Sequence, residues 1–482
     1  MSLSELPTHQ MLIGGRWIDA AERLPVQDPS TGEVMGEIAA GQVSDMDDAV
    51  CAAQGALDGA WGATPAADRG RLLSALGRKV AEHVEALAVM EARDVGKPLK
   101  QARADAQALA RYLEFYGGAA DKLHGDTIPY LPGYTVFTTR EPHGVTGHII
   151  PWNYPMQILG RSVVAALTVG NACVLKPAEE ACLTALAFAR LAQEVGLPAG
   201  ALNVVPGRGE TVGAALAGHS GIGHVSFTGS SEVGSLVQAA AARNAVPVTL
   251  ELGGKSAQLV FDDADLDRAL PFLVNAGIQN AGQTCSAASR ILVQRRLYDQ
   301  VVERMAARYD ALRVGAAMAD LDLGPLISAR QLEMVEGWIA EGRRQGLATP
   351  GQGSIAADAP AGGFYVAPTL FADVDPASYL AREEIFGPVQ VVIPFDDEDH
   401  AVAIANGTGY GLVAGAWTRD GARQLRLTKR LRAGQVFINT YGAGGGVELP
   451  FGGVGRSGHG REKGFEALYG FTALKTVAIQ HD

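Results

Sequence analysis

Cysteine is scarce in this chain: four in 482 residues, Cys51, Cys173, Cys182 and Cys285, with no CxxC and no repeated spacing. That excludes a disulfide framework and argues against a zinc site or any other bound metal. Long apolar runs are missing too. The longest, near Val163, is bounded by Arg161 and Asn171, far short of a membrane span, so no membrane partner is expected. Basic charge is in deficit, 40 Lys and Arg against 52 Asp and Glu for a net −12, and no basic patch offers a footprint for nucleic acid. The first ten residues contain no basic segment followed by an apolar one, so no signal peptide is read and a cytoplasmic protein is expected. Neither internal repeats nor a low-complexity linker occur, and the Asn406-Gly-Thr408 sequon reads as a turn.

What is present is 47% apolar and 19% charged residues, enough to bury a core, in a length that suggests two to four domains. Sixty glycines fall largely in short clusters such as Gly253–Gly254 and Gly452–Gly453, marking tight turns and close backbone approaches. Leu12–Ile18 and Glu33–Val34, separated by the turn residues Asp28–Gly32, predict a small β-ribbon. Three helices follow: one capped by Ser44 and reaching Trp61, one from Ala66 to Arg93, and one around Lys100 to Ala120.

From there, short apolar runs at Val145–Ile150, Ala172–Leu175, Leu202–Val205, Val225–Phe227 and Val248–Leu250 alternate with helical segments. A second alternation runs through Ser256–Phe261, Ile291–Val293, Val389–Ile393 and Val436–Ile438. This is βαβ grammar, and it predicts two α/β domains with parallel sheets and a tight boundary near Leu252.

Several motifs could carry chemistry, each with a plainer alternative. Gly453-Val-Gly-Arg-Ser-Gly458 matches the dinucleotide fingerprint but follows no strand and is a decoy. Val225-Ser-Phe-Thr-Gly229 runs into Ser230 and a helix, which offers backbone amides to a phosphate, although Ser230 can equally be an N-cap. Cys285 lies among small residues where a thiol is approachable, whereas Cys51, Cys173 and Cys182 fit buried positions. Glu251 ends a strand before two glycines, as a turn carboxylate or as a base facing a cleft. Asn153 sits between Pro151 and Pro155, a rigid turn that could hold an amide donor for an oxyanion. Lys176 and Glu179 end another strand as ligand contacts or surface charges, and Glu384 with Phe386 could hold a ribose and a ring or simply pack.

Taken together, Pro-Trp-Asn-Tyr-Pro, Lys-Pro-Ala-Glu, Phe-Thr-Gly-Ser, Glu-Leu-Gly-Gly-Lys-Ser, Gly-Gln-Thr-Cys, Glu-Glu-Ile-Phe-Gly-Pro and Pro-Phe-Gly-Gly-Val-Gly-Arg-Ser-Gly-His-Gly-Arg-Glu occur in this order from about residue 10 to the C-terminus. The constellation resembles the aldehyde dehydrogenase superfamily, in its NAD-dependent, hydrolytic branch. The resemblance implies an α/β fold with three parts: a Rossmann-like NAD-binding domain over 1–122 and 143–252, a catalytic α/β domain over 253–448, and a small β oligomerisation arm over 123–142 and 466–482. It implies oxidation of an aldehyde to its acid through a thiohemiacetal and a thioester on Cys285, with Asn153 and the Cys285 N–H holding the oxyanion and Glu251 activating water.

By the same resemblance, NAD would be held by Trp152, Lys176, Glu179, Gly209, Gly229, Ser230, Glu384 and Phe386, and the carboxylate of Glu179 would disfavour the 2′-phosphate of NADP. A homodimer or homotetramer acting on a small-molecule aldehyde is implied. Two departures stand out. Many relatives carry a tryptophan and a lysine where this chain has Arg161 and Ser162, which removes a lysine-dependent proton relay toward Glu462; Ala288 replaces a usual glycine. Arg161, with Tyr154 and Phe451 in the substrate tunnel, could pair with a carboxylate on an ω-carboxy semialdehyde or bond a neighbouring loop, and the aromatic side chains suit an aromatic aldehyde. A coenzyme A-acylating enzyme, which characteristically lacks the glutamate base, and a catalytically silent binding protein are the alternatives.

Overall fold

The computed structural model describes residues 9–442 and 446–481, so most of the N-terminal segment read above for targeting lies outside the described residues. Two apolar cores, one per large sheet, organise the chain. In the first, Val145–Ile149, Ala172–Lys176, Leu202–Val204, His224–Thr228 and Val248–Glu251 lie side by side in parallel, within an eight-stranded sheet. Their residues are buried without alternation, the pattern of strands covered by helices on both faces. In the second, six parallel strands and one antiparallel edge strand, Ala348–Gln352, make a seven-stranded sheet that includes Ala257–Val260 and Arg290–Gln294. A three-stranded antiparallel arm pairs Tyr134–Pro142 with Thr472–Gln480 on one side and Thr127–Ile128 on the other. The expected fold class, two α/β bodies with a small β arm, is therefore present.

Local boundaries differ from the sequence reading in four places. The N-terminal ribbon is two hairpins: Met11–Ile13 with Arg16–Ile18, which joins the large sheet through Leu12 and Val204, and Arg23–Gln27 with Val34–Ala39. The turn residues Asp28–Gly32 close the second hairpin alone. The first helix is capped by Gln42 and Asp45 in a reciprocal capping box, not by Ser44. The expected Ala66–Arg93 helix is two, Ala66–Glu82 and Val84–Val95, because His83 leaves helical geometry. The second α/β alternation also holds strands that the apolar runs did not mark, Thr369–Ala372 and Val413–Trp417.

Ligands of open α/β sheets bind beyond the carboxyl ends of the parallel strands. Asn153, Lys176, Gly229 and Glu251 all stand at or just past those ends in the first sheet. Cys285 approaches from the loop leading into Arg290–Gln294 of the second sheet, so the two bodies meet over the same edge.

Candidate active site

A cavity of about 650 Å³ opens between the two sheets, and Cys285, Glu251 and Asn153 all line it. Cys173 and Cys182 are fully buried and Cys51 is exposed elsewhere, so Cys285 is the one cysteine facing this cavity. Its loop is held in unusual geometry. Asn280, Ala281 and Gly282 are consecutive residues with positive φ (51°, 54° and 74°), a strained turn kept in place by its surroundings. Gln101 Oε1 accepts from the Asn280 N–H at 2.9 Å, Gln283 Nε2 donates to the Asn280 carbonyl at 3.0 Å, and Gln283 Oε1 accepts from the Ile327 N–H at 2.9 Å. Burial pushes the Cys285 thiol up to about 11, against the opposing pull of Arg161.

Asn153 is buried, and its side-chain amide donates one hydrogen to the Gln283 carbonyl at 3.0 Å. Glu251 is 1% exposed, and neither carboxylate oxygen has a hydrogen-bond partner. Its pKa is raised well above the carboxylate range, first by burial and then by Glu462, with Arg161, Arg461 and Lys463 opposing. Burial thus holds this carboxyl toward its protonated form.

Trp152, Gly229, Ser230, Glu384 and Phe386 line the same cavity. Ser230 caps the helix Ser231–Ala242, its side chain accepting from the Val233 N–H at 3.2 Å. The N-cap reading of Ser230 is thus correct for its side chain, and the residue still lines the cavity at the helix N-terminus. Glu384 accepts from the Gly254 N–H at 2.9 Å, and burial pushes it up to about 7. Phe386 adopts a positive φ of 57° and meets Trp152 edge to face, ring centroids 5.4 Å apart. Lys176, Glu179 and Gly209 do not line the cavity. They form a neighbouring cluster in which Lys176 Nζ lies 2.5 Å from Glu179 Oε2 and the Gly209 N–H donates to Glu179 Oε1 at 3.3 Å.

Tyr154, Arg161 and Phe451 also line the cavity. Arg161 sits in a π-helical turn, Gly160–Val164, stacks over the Phe451 ring at 4.7 Å and is ion-paired with the buried Glu462. Arg161 thus bonds a neighbouring loop through Glu462 while also lining the cavity. Its Nη2 has no hydrogen-bond partner and the residue faces the cavity, so a contact with substrate stays open to it.

Sequence reasoning missed two contributors. Lys463 also lines the cavity, with a positive φ of 60° and an ammonium pushed down to about 8 by burial and then by Arg161. Lys97 is fully buried between Glu91 (2.7 Å) and Asp105 (2.5 Å), with its ammonium 4.1 Å from the centre of the Tyr154 ring. Tyr154 in turn shares a hydrogen bond with Thr284, next to Cys285, at 3.0 Å. Neither lysine lies in a motif, and only the tertiary fold brings them in. The decoy glycine motif also has a place: Gly458–His459 pairs with Leu250 and Glu251, and Ser457 donates to the Gly253 carbonyl at 2.7 Å. It supports the strand end that carries Glu251. Among the described residues, no cluster of His, Cys, Asp or Glu could hold a metal, and no helix is long and apolar enough to cross a membrane.

Residues 17–477 match the model of the aldehyde dehydrogenase family. The mitochondrial aldehyde dehydrogenase of Equus caballus is 42% identical, over 98% of this chain and 95% of its own. A Burkholderia cenocepacia protein assigned to the same family has a crystal structure that is 64% identical, with TM-score 0.97 over 98% of this chain and 100% of its own. PnpE of Pseudomonas sp. WBC-3, solved in complex with nicotinamide adenine dinucleotide, is 39% identical, with TM-score 0.96 over 98% of both chains.

Proposed function

The chain belongs to the aldehyde dehydrogenase family, and on that premise we propose that Cys285 is the nucleophile, Asn153 the oxyanion donor and Glu251 the base of an NAD-dependent, hydrolytic oxidation of an aldehyde to its acid. The observation that carries the assignment is that one cavity joins these three side chains to Glu384, Phe386 and the helix N-terminus at Ser230.

NAD, when bound, supplies the hydride acceptor. The site's features fit that group: a helix N-terminus for its phosphates, Glu384 for a ribose, and Trp152 with Phe386 for a ring, while Lys176, Glu179 and Gly209 would hold the adenosine end. Cys285 Sγ, as the thiolate left when its proton has gone to solvent, adds to the aldehyde carbon, and the carbonyl oxygen takes up the negative charge. Asn153 meets that charge with a donor already fixed by its bond to Gln283. Once the thioester has formed, Glu251 takes a proton from water, which attacks the acyl carbon and returns the thiol. The presence of Glu251 argues against a coenzyme A-acylating reaction.

For the substrate, the two cations Arg161 and Lys463 on the cavity wall support an ω-carboxy semialdehyde. The rings of Tyr154, Tyr441 and Phe451 support an aromatic aldehyde as the second reading. Exposed Leu474 and Ile479 on the arm's terminal strand, with Tyr130 and Leu131 beside it, support a homodimer or homotetramer. A cytoplasmic location goes with four cysteines that form no disulfide. The test is NADH formation across aliphatic, aromatic and ω-carboxy aldehydes, with wild type and Arg161→Ala, with and without coenzyme A. A semialdehyde that leads and alone collapses in the variant supports the first reading. Aromatic aldehydes that lead and are unaffected sink it in favour of the second, and an acyl-coenzyme A product sinks the hydrolytic assignment.

A further inference from the structure

Thr284, the residue before Cys285, closes the strained turn that carries the thiol. Its Oγ1 donates to the Gln279 carbonyl at 3.2 Å, a bond that spans Asn280, Ala281 and Gly282, the three consecutive residues of positive φ. Two of the three are not glycine, so the turn carries backbone strain and keeps its shape only while its ends are tied. Tyr154, from the loop after Val145–Ile149 of the first sheet, reaches the same hydroxyl: its phenol oxygen is 3.0 Å from Thr284 Oγ1. Both residues line the cavity with Cys285.

Proton counting fixes the direction of these two bonds. A threonine hydroxyl has one hydrogen, and a main-chain carbonyl can only accept. Thr284 gives its hydrogen to Gln279, so Tyr154 is the donor to Thr284. Burial raises the pKa of the phenol, which keeps that donor protonated. The rest of Tyr154 is fixed as well. It is the N-cap of a short helix that begins with Pro155, and its carbonyl accepts from the Ile158 N–H at 3.0 Å. The Lys97 ammonium lies 4.1 Å from the ring centre and is itself held by Glu91 and Asp105. The side chain thus offers a ring to the cavity wall and ties its hydroxyl to the Cys285 loop.

We propose that Tyr154 is a positioning residue for Cys285: its hydroxyl, donating to Thr284, holds shut the clip across residues 280–282 and so fixes where the thiol meets the aldehyde carbon. The inference rests on the reading of Cys285 as the nucleophile. It goes beyond a wall of the substrate tunnel, because a contact with the aldehyde changes with the aldehyde, whereas a clip on the loop that carries the nucleophile acts on every aldehyde alike.

The test is the rate of the NADH burst at saturating NAD for a short aliphatic, an aromatic and an ω-carboxy aldehyde. Tyr154→Phe keeps the ring and its place against Lys97 and removes only the hydroxyl. Its burst rate at saturating aldehyde is expected to fall about three- to tenfold, by the same factor for all three aldehydes, with the half-saturating concentration unchanged. An unchanged rate overturns the proposal. So does a loss that differs between aldehydes or shows in half-saturation alone, which would make Tyr154 a substrate contact. Thr284→Val removes both bonds and should lose at least as much, and adding Tyr154→Phe to it should cost nothing further; additive losses overturn the clip. Thr284→Ser keeps the hydroxyl and should retain most of the rate, whereas a fall equal to that of Thr284→Val places the effect in the methyl group and overturns the proposal. Should Thr284→Val fail to fold, Tyr154→Phe and Thr284→Ser still decide. Cys285→Ala separates the two levels. If that variant still gives a burst, the nucleophile assignment falls and the proposal with it; if it gives none while Tyr154→Phe behaves as wild type, the proposal alone falls.

Discussion

The side-chain amide of Asn280 donates to the main-chain carbonyl of Asn153 at 3.0 Å, while the side chain of Asn153 donates to the carbonyl of Gln283, also at 3.0 Å. The Cys285 loop of one sheet and the Asn153 loop of the other are thus cross-braced by two asparagines. Asn153→Ala removes a donor aimed at developing charge, and kcat is expected to fall about 10²–10³-fold. Asn280→Ala leaves that donor present but loosens its frame, so a smaller fall is expected, about tenfold, without loss of Cys285 labelling. Steady-state kinetics on both variants checks the order; a larger loss in Asn280→Ala contradicts it.

Glu251→Gln should divide the reaction in two. The oxidation half needs Cys285 and Asn153, whereas the hydrolysis half needs the base, so a burst of NADH approaching one equivalent per subunit should survive while turnover drops by about 10²–10⁴-fold. Cys285→Ala should show neither burst nor turnover. A stopped-flow trace without a burst in Glu251→Gln would mean that the glutamate acts before the thioester forms.

The thiol of Cys285 sits high, at about 11, because burial outweighs the attraction of Arg161. Its thiolate fraction in the free enzyme should therefore rise continuously from pH 7 through pH 10, and iodoacetamide labelling should rise with it. Removing the Arg161 cation raises the thiol pKa further, so Arg161→Gln should label more slowly at every pH, by up to about tenfold. Labelling that is flat above pH 8 would show a thiol already ionised.

Glu179 accepts from the Gly209 N–H, and its pKa is lowered: burial raises it, and the combined pull of Lys176, the Gly209 N–H and its own backbone lowers it more. Its negative charge should reject a 2′-phosphate. Glu179→Gln is expected to raise kcat/KM for NADP by about tenfold and to change that for NAD much less. Equal changes for both coenzymes would remove Glu179 from the specificity argument.

Lys97 holds two buried carboxylates, and Lys97→Met would strand them. Breaking a buried ion pair in this way costs about 3–5 kcal/mol, so a clear fall in the denaturation midpoint is expected. Because its ammonium lies against the Tyr154 ring, a change in aldehyde KM should accompany it. Denaturant titration beside steady-state kinetics separates the two effects.

The sequence alone determined the parallel α/β character, because unbroken apolar runs alternating with helical segments have few other solutions. It also offered Asn153, Glu251 and Cys285 as candidates, but each local pattern had a plainer alternative, and only the ordered set of motifs and its resemblance to a family singled them out. The conformation at Gly254 follows the same logic: a Cβ there would come within 2.4 Å of the Cys285 carbonyl, so the glycine was legible as a close approach before its partner was known. Pairing partners were not legible. Which sheet Leu12–Ile18 joins, and which carboxylate of the chain Arg161 pairs with, depends on residues about 190 to 300 positions away, and no local pattern encodes that distance. Tertiary structure decided these questions, together with the environment of Lys97 and Lys463. Burial and charge pairing act through space, and a buried polar group shows its role only when the partners that satisfy it are in place.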